Sequence, residues 1–139
     1  MTLVDTNVFM YAGGRAHPNK SSSKAFLRQV VNGSVSAAID AEVLQEILHR
    51  YRAVNRWEDG KKAYDLTRGI MRNVVSITAD VVDDARLLMD LHPHLTARDA
   101  LHVSACVTIG ADSICSFDQD FDRVPGLVRR QPSYFLDLK

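Results

Sequence analysis

The N-terminal stretch Met1-Thr2-Leu3-Val4-Asp5-Thr6-Asn7 is a short apolar run that ends in a carboxylate followed by two small polar residues. This pattern predicts a β-strand that delivers Asp5 to the edge of a sheet. In an open parallel sheet, ligands bind in the crevice beyond the carboxyl ends of the strands, so a carboxylate at that edge is placed for chemistry. The alternative is an Asx turn in which Asp5 only caps the next segment, and turn statistics favour this alternative for an isolated D-T-N. The choice depends on whether other carboxylates reach similar places.

The size and composition indicate one soluble globular domain spanning residues 1–139. A hydrophobic content of 46% with 24% charged residues excludes disordered, coiled-coil and fibrous classes. No apolar run approaches the roughly 18 residues of a membrane span, and Asp5 interrupts what could have been a signal peptide, so we expect a cytoplasmic protein. Cys106 and Cys115 lie in apolar contexts without C-x-x-C spacing, which predicts buried thiols rather than a disulfide or a zinc site.

The net charge of zero conceals an uneven distribution of charge along the chain. Residues 8–72 carry an excess of Lys and Arg, whereas residues 73–139 carry an excess of Asp and Glu. Such a division can combine a basic track for a polyanion with an acidic site, although scattered charges on solvated helices are a commoner cause. Aromatic residues are interleaved with the basic ones, as in proteins that bind single-stranded nucleic acid, but aromatics at helical spacing also belong to cores. The candidate nucleic-acid-binding residues are Arg50, Arg52, Arg56, Lys61 and Lys62.

Predicted strands alternate with predicted helices along the chain. Alternating apolar runs predict strands at residues 1–4, 35–39, 74–77 and 112–116, with a short last strand at 128–130 before a tail. Helical periodicity, with Asp40 and Thr96 as predicted N-caps, indicates helices over residues 6–12, 21–31, 41–54, 57–71, 78–91 and 97–109. The last of these helices is apolar on almost every side and is predicted to cross the core. The order implies an α/β fold, a three-layer α/β/α sandwich with a mostly parallel central sheet.

Four carboxylates are expected to converge at one edge of this sheet. Asp5 and Asp118 end predicted strands, Asp99 lies in the first turn of the helix after Thr96, and Glu46 lies off the centre of an apolar helix face. Each has a simpler interpretation, as a turn residue, a capping carboxylate or a solvated side chain. In a parallel sheet, however, the strand ends share one edge, and the helix after a strand begins near it. His102, three residues after Asp99, is a candidate supporting residue or an ordinary semi-buried histidine.

A cluster of carboxylates favours a divalent cation. Four close carboxylates repel one another, and the usual relief is a raised pKa or a bound metal ion. Mg²⁺ accepts carboxylates, water molecules and phosphate oxygens together. Zinc is disfavoured without Cys or His ligands, and His92 and His94 are assigned to a loop without a role in the site.

Four sequence motifs carry a family resemblance. They are D-T-N-V at residues 5–8, E-V-L-Q-E-I at 42–47, A-R-D-A-L-H-V at 97–103, and S-F-D-Q-D-F at 116–121 followed by V-P-G-L. In this order and spacing they resemble the motifs of the PIN-domain ribonucleases, specifically the VapC-type toxins of bacterial and archaeal toxin–antitoxin pairs. Each motif alone is weak, but together they cover residues 1–127 and are strong.

The resemblance implies a site and an activity. It implies that Asp5, Glu46, Asp99 and Asp118 form a catalytic site that binds Mg²⁺ or Mn²⁺, with either Asp118 or Asp120 as the fourth acid. It further implies endoribonuclease activity on RNA, a VapB-type antitoxin partner and a homodimer. Metal-assisted hydrolysis would then occur at the acids while the basic helices hold the RNA backbone. The supporting residues are Thr6, Asn7, Ser116 and Asp120.

Two other classes of protein share part of this pattern. A phosphatase of the aspartyl-phosphate kind also begins with a strand and an Asp, but it requires a second Asp two residues later, where this chain has Asn7. A catalytically silent PIN-like module would bind RNA or antitoxin without cleavage. Loss of an acid would mark such a module, and all four acids are present.

Overall fold

Five short strands form one parallel sheet in the computed structural model, which describes residues 1–136. The strand order is β3-β2-β1-β4-β5, and all four pairings are parallel. The first strand is therefore central, and the mostly parallel sheet predicted from the alternating elements is confirmed. The strands are β1 (Thr2–Val4), β2 (Ala37–Asp40), β3 (Val74–Val75), β4 (Ser113–Cys115) and β5 (Arg129–Arg130).

Helices connect these strands, and a 3₁₀ turn at Gln119–Arg123 follows β4. Side chains of Asp5, Asp40, Thr78 and Thr96 accept backbone N–H groups at the starts of four helices, which fixes where those helices begin. The helices are α1 (Thr6–Gly13), α2 (Lys20–Val31), α3 (Ala41–Ala53), α4 (Trp57–Ile70), α5 (Ala79–Leu91), α6 (Ala97–Ile109) and α7 (Pro132–Leu136).

The sheet is covered on both faces, which confirms the three-layer sandwich. Because successive residues of a strand point to opposite faces, Val4 and Cys115 pack with α1 to α4, whereas Leu3 and Ile114 pack with α5 and α6. Gly60 lets α3 and α4 approach closely, because an added Cβ would lie 2.6 Å from Tyr51 Cβ. Cys106 and Cys115 are buried free thiols, as predicted, and burial raises the pKa of Cys106 to about 12.

Two expectations about these elements need correction. Helix α6 is buried through its middle, where residues 102–106 are covered on every side, but it does not stay in the core over its whole length: Val107, near its C-terminal end, is 73% exposed. A count of apolar residues does not reveal which side of a helix a single chain leaves uncovered. The expected tail contains α7, which begins at Pro132 and packs on α2. Proline suits the first turn of a helix because its fixed φ is already helical. Residues 137–139 lie outside the described part of the chain.

Among residues 1–136, no helix is long and apolar enough to cross a membrane.

Candidate metal centre

Three neighbouring strands end at one edge of the sheet. Asp5 follows β1, Asp40 is the last residue of β2, and Ser116 follows β4. The chain passes from β1 to β2 on one side and places β4 on the other, so the order of strands reverses beside β1. Such a switch point opens the crevice in which parallel α/β sheets bind ligands.

The carboxylate of Asp5 is 7% exposed and is held by both of its oxygens. Its Oδ1 accepts the Thr6 backbone N–H at 2.7 Å, and its Oδ2 accepts the Ser116 hydroxyl at 2.6 Å. Asp5 is therefore the N-cap of α1 and is also oriented at the sheet edge. Asp5 can therefore cap the helix and also serve as a ligand at the sheet edge, so the two interpretations of this residue do not exclude each other.

Ser116 connects Asp5 to the acidic loop after β4. Its Oγ accepts the Asn7 side-chain N–H at 3.2 Å and the Asp118 backbone N–H at 3.0 Å. The Asp118 carboxylate in turn accepts the Asp120 backbone N–H at 2.9 Å. Small polar residues therefore fix the acids relative to one another.

Asp99, Asp118 and Asp120 converge at the mouth of this crevice. Each offers a carboxylate oxygen, and the three oxygens lie within 4.8 Å of one another. Thr96 Oγ1 caps α6 by accepting the Asp99 backbone N–H at 3.2 Å, which places Asp99 in the first helical turn. Burial raises the pKa of Asp99, and the negative charges of Asp118 and Asp5 raise it further. The repulsion indicates a site where positive charge would be favourable.

Glu46 is buried, at 6% exposure, so a solvated position on α3 is excluded. It forms ion pairs with Arg50 on its own helix and with Arg98 of α6, each at 3.5 Å. Arg98, which the sequence did not indicate, precedes Asp99 and its side chain is half exposed. Glu46 thus reaches the N-terminus of α6 through Arg98 instead of joining the three converged oxygens.

Asp40 and His102 form a second buried pair at the same edge. His102 Nδ1 lies 2.5 Å from Asp40 Oδ2, and its Nε2 lies 3.6 Å from Asp5 Oδ1. Burial disfavours the imidazolium, but the hydrogen bond to Asp40 and the nearby carboxylates outweigh this and raise the pKa of His102 to about 9. The sequence indicated Asp40 only as a helix cap, because spacing alone cannot show that residues 62 positions apart meet.

The predicted nucleic-acid-binding residues of α3, α4 and the link between these helices mostly pair with neighbouring side chains. Arg50 pairs with Glu46, Arg56 with Asp59 and Lys61 with Glu58. The Arg52 guanidinium lies over the Trp57 ring, 4.3 Å from its centroid. Lys62 is exposed.

His94 lies in the loop to which the sequence assigned it. Its Nε2 is 3.2 Å from the backbone oxygen of Asp120.

The residues at this edge suit a hard divalent cation. The converged donors are carboxylate oxygens, which Mg²⁺ and Mn²⁺ accept and which give zinc no nitrogen or sulfur ligand. In the part of the chain that the structure describes, Thr6 Oγ1 is buried without a hydrogen-bond partner. A buried hydroxyl is normally satisfied, so this atom, next to Asp5, is available to a bound water molecule or ligand.

A parallel sheet with carboxylates at its switch point defines an α/β protein with an acidic site, and comparison with known proteins identifies the family. The family model described as "PIN domain" matches residues 2–127. Ribonuclease VapC13 of Mycobacterium tuberculosis is 39% identical over 129 residues, which cover 93% of this chain and 98% of that protein. The chain therefore belongs to the PIN-domain family, among the VapC ribonucleases.

Solved structures share the fold. VapBC2 from Rickettsia felis, solved with a DNA fragment from the promoter, has a TM-score of 0.74 at 17% identity and covers 94% of this chain and 97% of that one. VapC20 of Mycobacterium tuberculosis, described as a toxin that cleaves the sarcin–ricin loop, has a TM-score of 0.74 at 18% identity, covering 92% of this chain and 97% of that one.

Proposed function

We propose that this protein is a single-domain, metal-dependent endoribonuclease of the cytoplasm and the toxin of a VapBC-type toxin–antitoxin pair. The observation that carries the proposal is the convergence of Asp99, Asp118 and Asp120 beside the oriented carboxylate of Asp5. The 39% identity to a named VapC ribonuclease over nearly its whole length supports the reaction class. Glu46, the remaining predicted acid, acts in this proposal through its ion pair with Arg98.

The side chains have distinct roles in this proposal. Asp99 and Asp118, whose carboxylate oxygens converge, hold Mg²⁺ or Mn²⁺, and Asp120 can contribute an oxygen from the same loop. Asp5, which Ser116 connects to Asp118, is the further ligand in this proposal. When bound, the ion supplies positive charge for the scissile phosphate and lowers the pKa of a water molecule. Thr6 and Asn7 orient that water or the Asp5 carboxylate.

Arg98 faces the substrate in this proposal, and the buried Glu46 lies behind it. Arg98 is half exposed beside Asp99, so its guanidinium can neutralise a phosphate oxygen of the RNA backbone. Glu46 orients that guanidinium through their ion pair. Arg52 and Lys62 lie on the exposed side of α3 and α4, where they can contact a longer RNA, whereas Arg50, Arg56 and Lys61 must first exchange their acidic partners.

The proposal is tested with 5′-labelled RNA incubated with Mg²⁺, Mn²⁺ or EDTA. We expect internal cleavage with either ion, none with EDTA, and none in Asp5→Asn or Asp99→Asn. Asp84→Asn, which changes an exposed acid on α5, is the matched control and should cleave normally. Full activity in either site variant would contradict the assignment. Bound Mn²⁺ with intact RNA would favour the silent binding module.

An antitoxin of the VapB type is the proposed protein partner. The Rickettsia felis structure is a VapBC complex, and a Klebsiella pneumoniae structure described as a toxin–antitoxin complex has a TM-score of 0.65. This chain has an apolar groove of about 500 Å³ between α1 to α4, with Leu66 exposed on its wall and Lys24 and Arg28 beside it. Such a groove fits an amphipathic segment that carries acidic residues. Leu66→Asp should abolish inhibition by the antitoxin while RNA cleavage persists.

The homodimer remains a prediction from the family resemblance. Val82, Leu87, Leu91 and Val107 on α5 and α6 are exposed, and a second copy would cover apolar side chains of this kind. Sedimentation of the purified protein tests it: a single-copy mass at micromolar concentration would contradict the prediction.

A further inference from the structure

Asp40 is a fully buried carboxylate with two different partners. Its Oδ1 accepts the Val43 backbone N–H at 3.2 Å and caps α3, while its Oδ2 accepts from His102 Nδ1 at 2.5 Å. A buried carboxylate costs stability unless it is paired, so its presence at 0% exposure requires the histidine.

Capping alone does not require a carboxylate at this position. Thr78 and Thr96 cap α5 and α6 with a hydroxyl that accepts an N–H three residues later, which is the same geometry as Asp40 and Val43. A hydroxyl has no second oxygen with which to reach His102. The carboxylate therefore serves the contact with His102 as well as the cap.

His102 connects Asp40 to the Asp5 carboxylate of the metal site. Its ring is 1% exposed and is anchored at Nδ1, so the position of Nε2 is determined by Asp40. Nε2 lies 3.6 Å from Asp5 Oδ1, beyond hydrogen-bond distance, and the ring edge limits the space open to that oxygen. Together with Thr6 N–H on Oδ1 and Ser116 O–H on Oδ2, the ring restricts the orientation of the Asp5 carboxylate.

We propose that Asp40 and His102 are positioning residues that hold Asp5 in the orientation in which it binds the divalent cation. This inference rests on the proposed function, since it concerns the same site. Neither residue touches the ion or the RNA: Asp40 fixes the ring, and the ring fixes the carboxylate. Loss of a residue that orients a metal ligand typically lowers the affinity for the metal by about 10–100-fold.

The test is Mn²⁺ affinity, measured by calorimetry on the full chain without RNA. In His102→Asn, the side-chain amide can take the place of Nδ1 and donate to Asp40, but the side chain is too short to reach the Asp5 carboxylate. We expect this variant to keep its circular dichroism spectrum, to bind Mn²⁺ about 10–100-fold more weakly, and to recover cleavage when Mn²⁺ is raised by the same factor. Affinity equal to that of the unsubstituted protein would overturn the proposal.

A second variant tests the same link from the other end. Asp40→Ser retains a hydroxyl cap for α3 but has no oxygen that reaches His102, so we expect it also to weaken Mn²⁺ binding although His102 is present. If the pair acts as a unit, combining Asp40→Ser with His102→Asn should weaken binding less than the product of the two single effects. The inference would be contradicted if the fold-loss of Mn²⁺ affinity in the double variant equalled the product of the two single losses, or if Asp40→Ser bound Mn²⁺ normally.

The control is Ser104→Ala on the same helix. Ser104 is buried and donates to the Val81 backbone oxygen at 2.9 Å, so the variant loses a buried hydrogen bond without touching Asp5. Its thermal midpoint should fall while its Mn²⁺ affinity stays unchanged, which separates lost stability from lost positioning. If the unsubstituted protein neither binds Mn²⁺ nor cleaves RNA, the proposed function fails; if it does both and His102→Asn matches it, only the positioning role fails.

Discussion

Replacing Asp99 with asparagine should stabilise the metal-free protein and destabilise the metal-loaded protein relative to the unsubstituted chain. The carboxylate oxygens of Asp99, Asp118 and Asp120 lie within 4.8 Å of one another, and the pKa of Asp99 is raised by burial and by its acidic neighbours. The uncharged amide of the Asp99→Asn variant would remove this repulsion. The substitution would also remove one of the negative charges that attract the cation.

The size of the effect follows from the distances. Two unit charges 4.8 Å apart repel by about 3.5 kcal/mol at an effective dielectric constant near 20. Asp120 is exposed and Asp99 and Asp118 are only partly buried, so solvent reduces this repulsion substantially. Losing a negative charge in the first turn of α6 costs about 0.5 kcal/mol. We expect a net stabilisation of about 1 kcal/mol, or about 4 °C in the thermal midpoint of a chain of this length.

Saturation with Mn²⁺ should reverse the order. A ligand at a hundredfold excess over its dissociation constant stabilises the folded state by about 2.7 kcal/mol, and Asp99→Asn should gain little of this. Thermal denaturation in EDTA and in Mn²⁺ measures both halves of the prediction, with Asp84→Asn as the control that should follow the unsubstituted protein in both buffers. A variant less stable in EDTA, or one stabilised by Mn²⁺ as much as the unsubstituted chain, would refute the reasoning.

Three further predictions concern individual side chains. Ser116→Ala removes the donor to Asp5 Oδ2 and the acceptor for Asn7 and Asp118, so Mn²⁺ affinity measured by calorimetry should fall about 10-fold or more, and an unchanged affinity would count against the hydrogen-bond chain. Gly60→Ala places a Cβ 2.6 Å from Tyr51 Cβ and should cost about 1–3 kcal/mol in urea denaturation without changing Mn²⁺ affinity, and a neutral result would show that α3 and α4 separate easily. Thr96→Ala removes the cap of α6 and should lower the free energy of unfolding by about 1 kcal/mol, with Thr96→Ser restoring it; no loss in the alanine variant would exclude the cap.

The sequence predicted the sheet and the acids that end its elements because these follow from local patterns. An apolar run before Asp5 and another before Ser116 mark strands, and Thr96 with Asp99 three residues later marks a helix start. Parallel topology then brings these ends to one edge.

The contacts between distant elements could not be predicted in this way. The burial of Glu46 depends on Arg98 from another helix, and the environment of Asp40 depends on His102. The exposure of Val107 likewise depends on which side of α6 the sheet and α5 leave uncovered. Local periodicity identifies an amphipathic helix, but not the polar partner that three-dimensional packing supplies.

The central claim, that these acids hold a catalytic divalent cation, is tested most directly by locating Mn²⁺ through its anomalous scattering in crystals of the full chain. We expect an ion at about 2.2 Å from carboxylate oxygens of Asp99 and of Asp5 or Asp118, completed by water molecules. The same experiment shows whether Asp118 or Asp120 is the fourth acid. An ion bound elsewhere, with this edge of the sheet lacking anomalous density at saturating Mn²⁺, would contradict the claim.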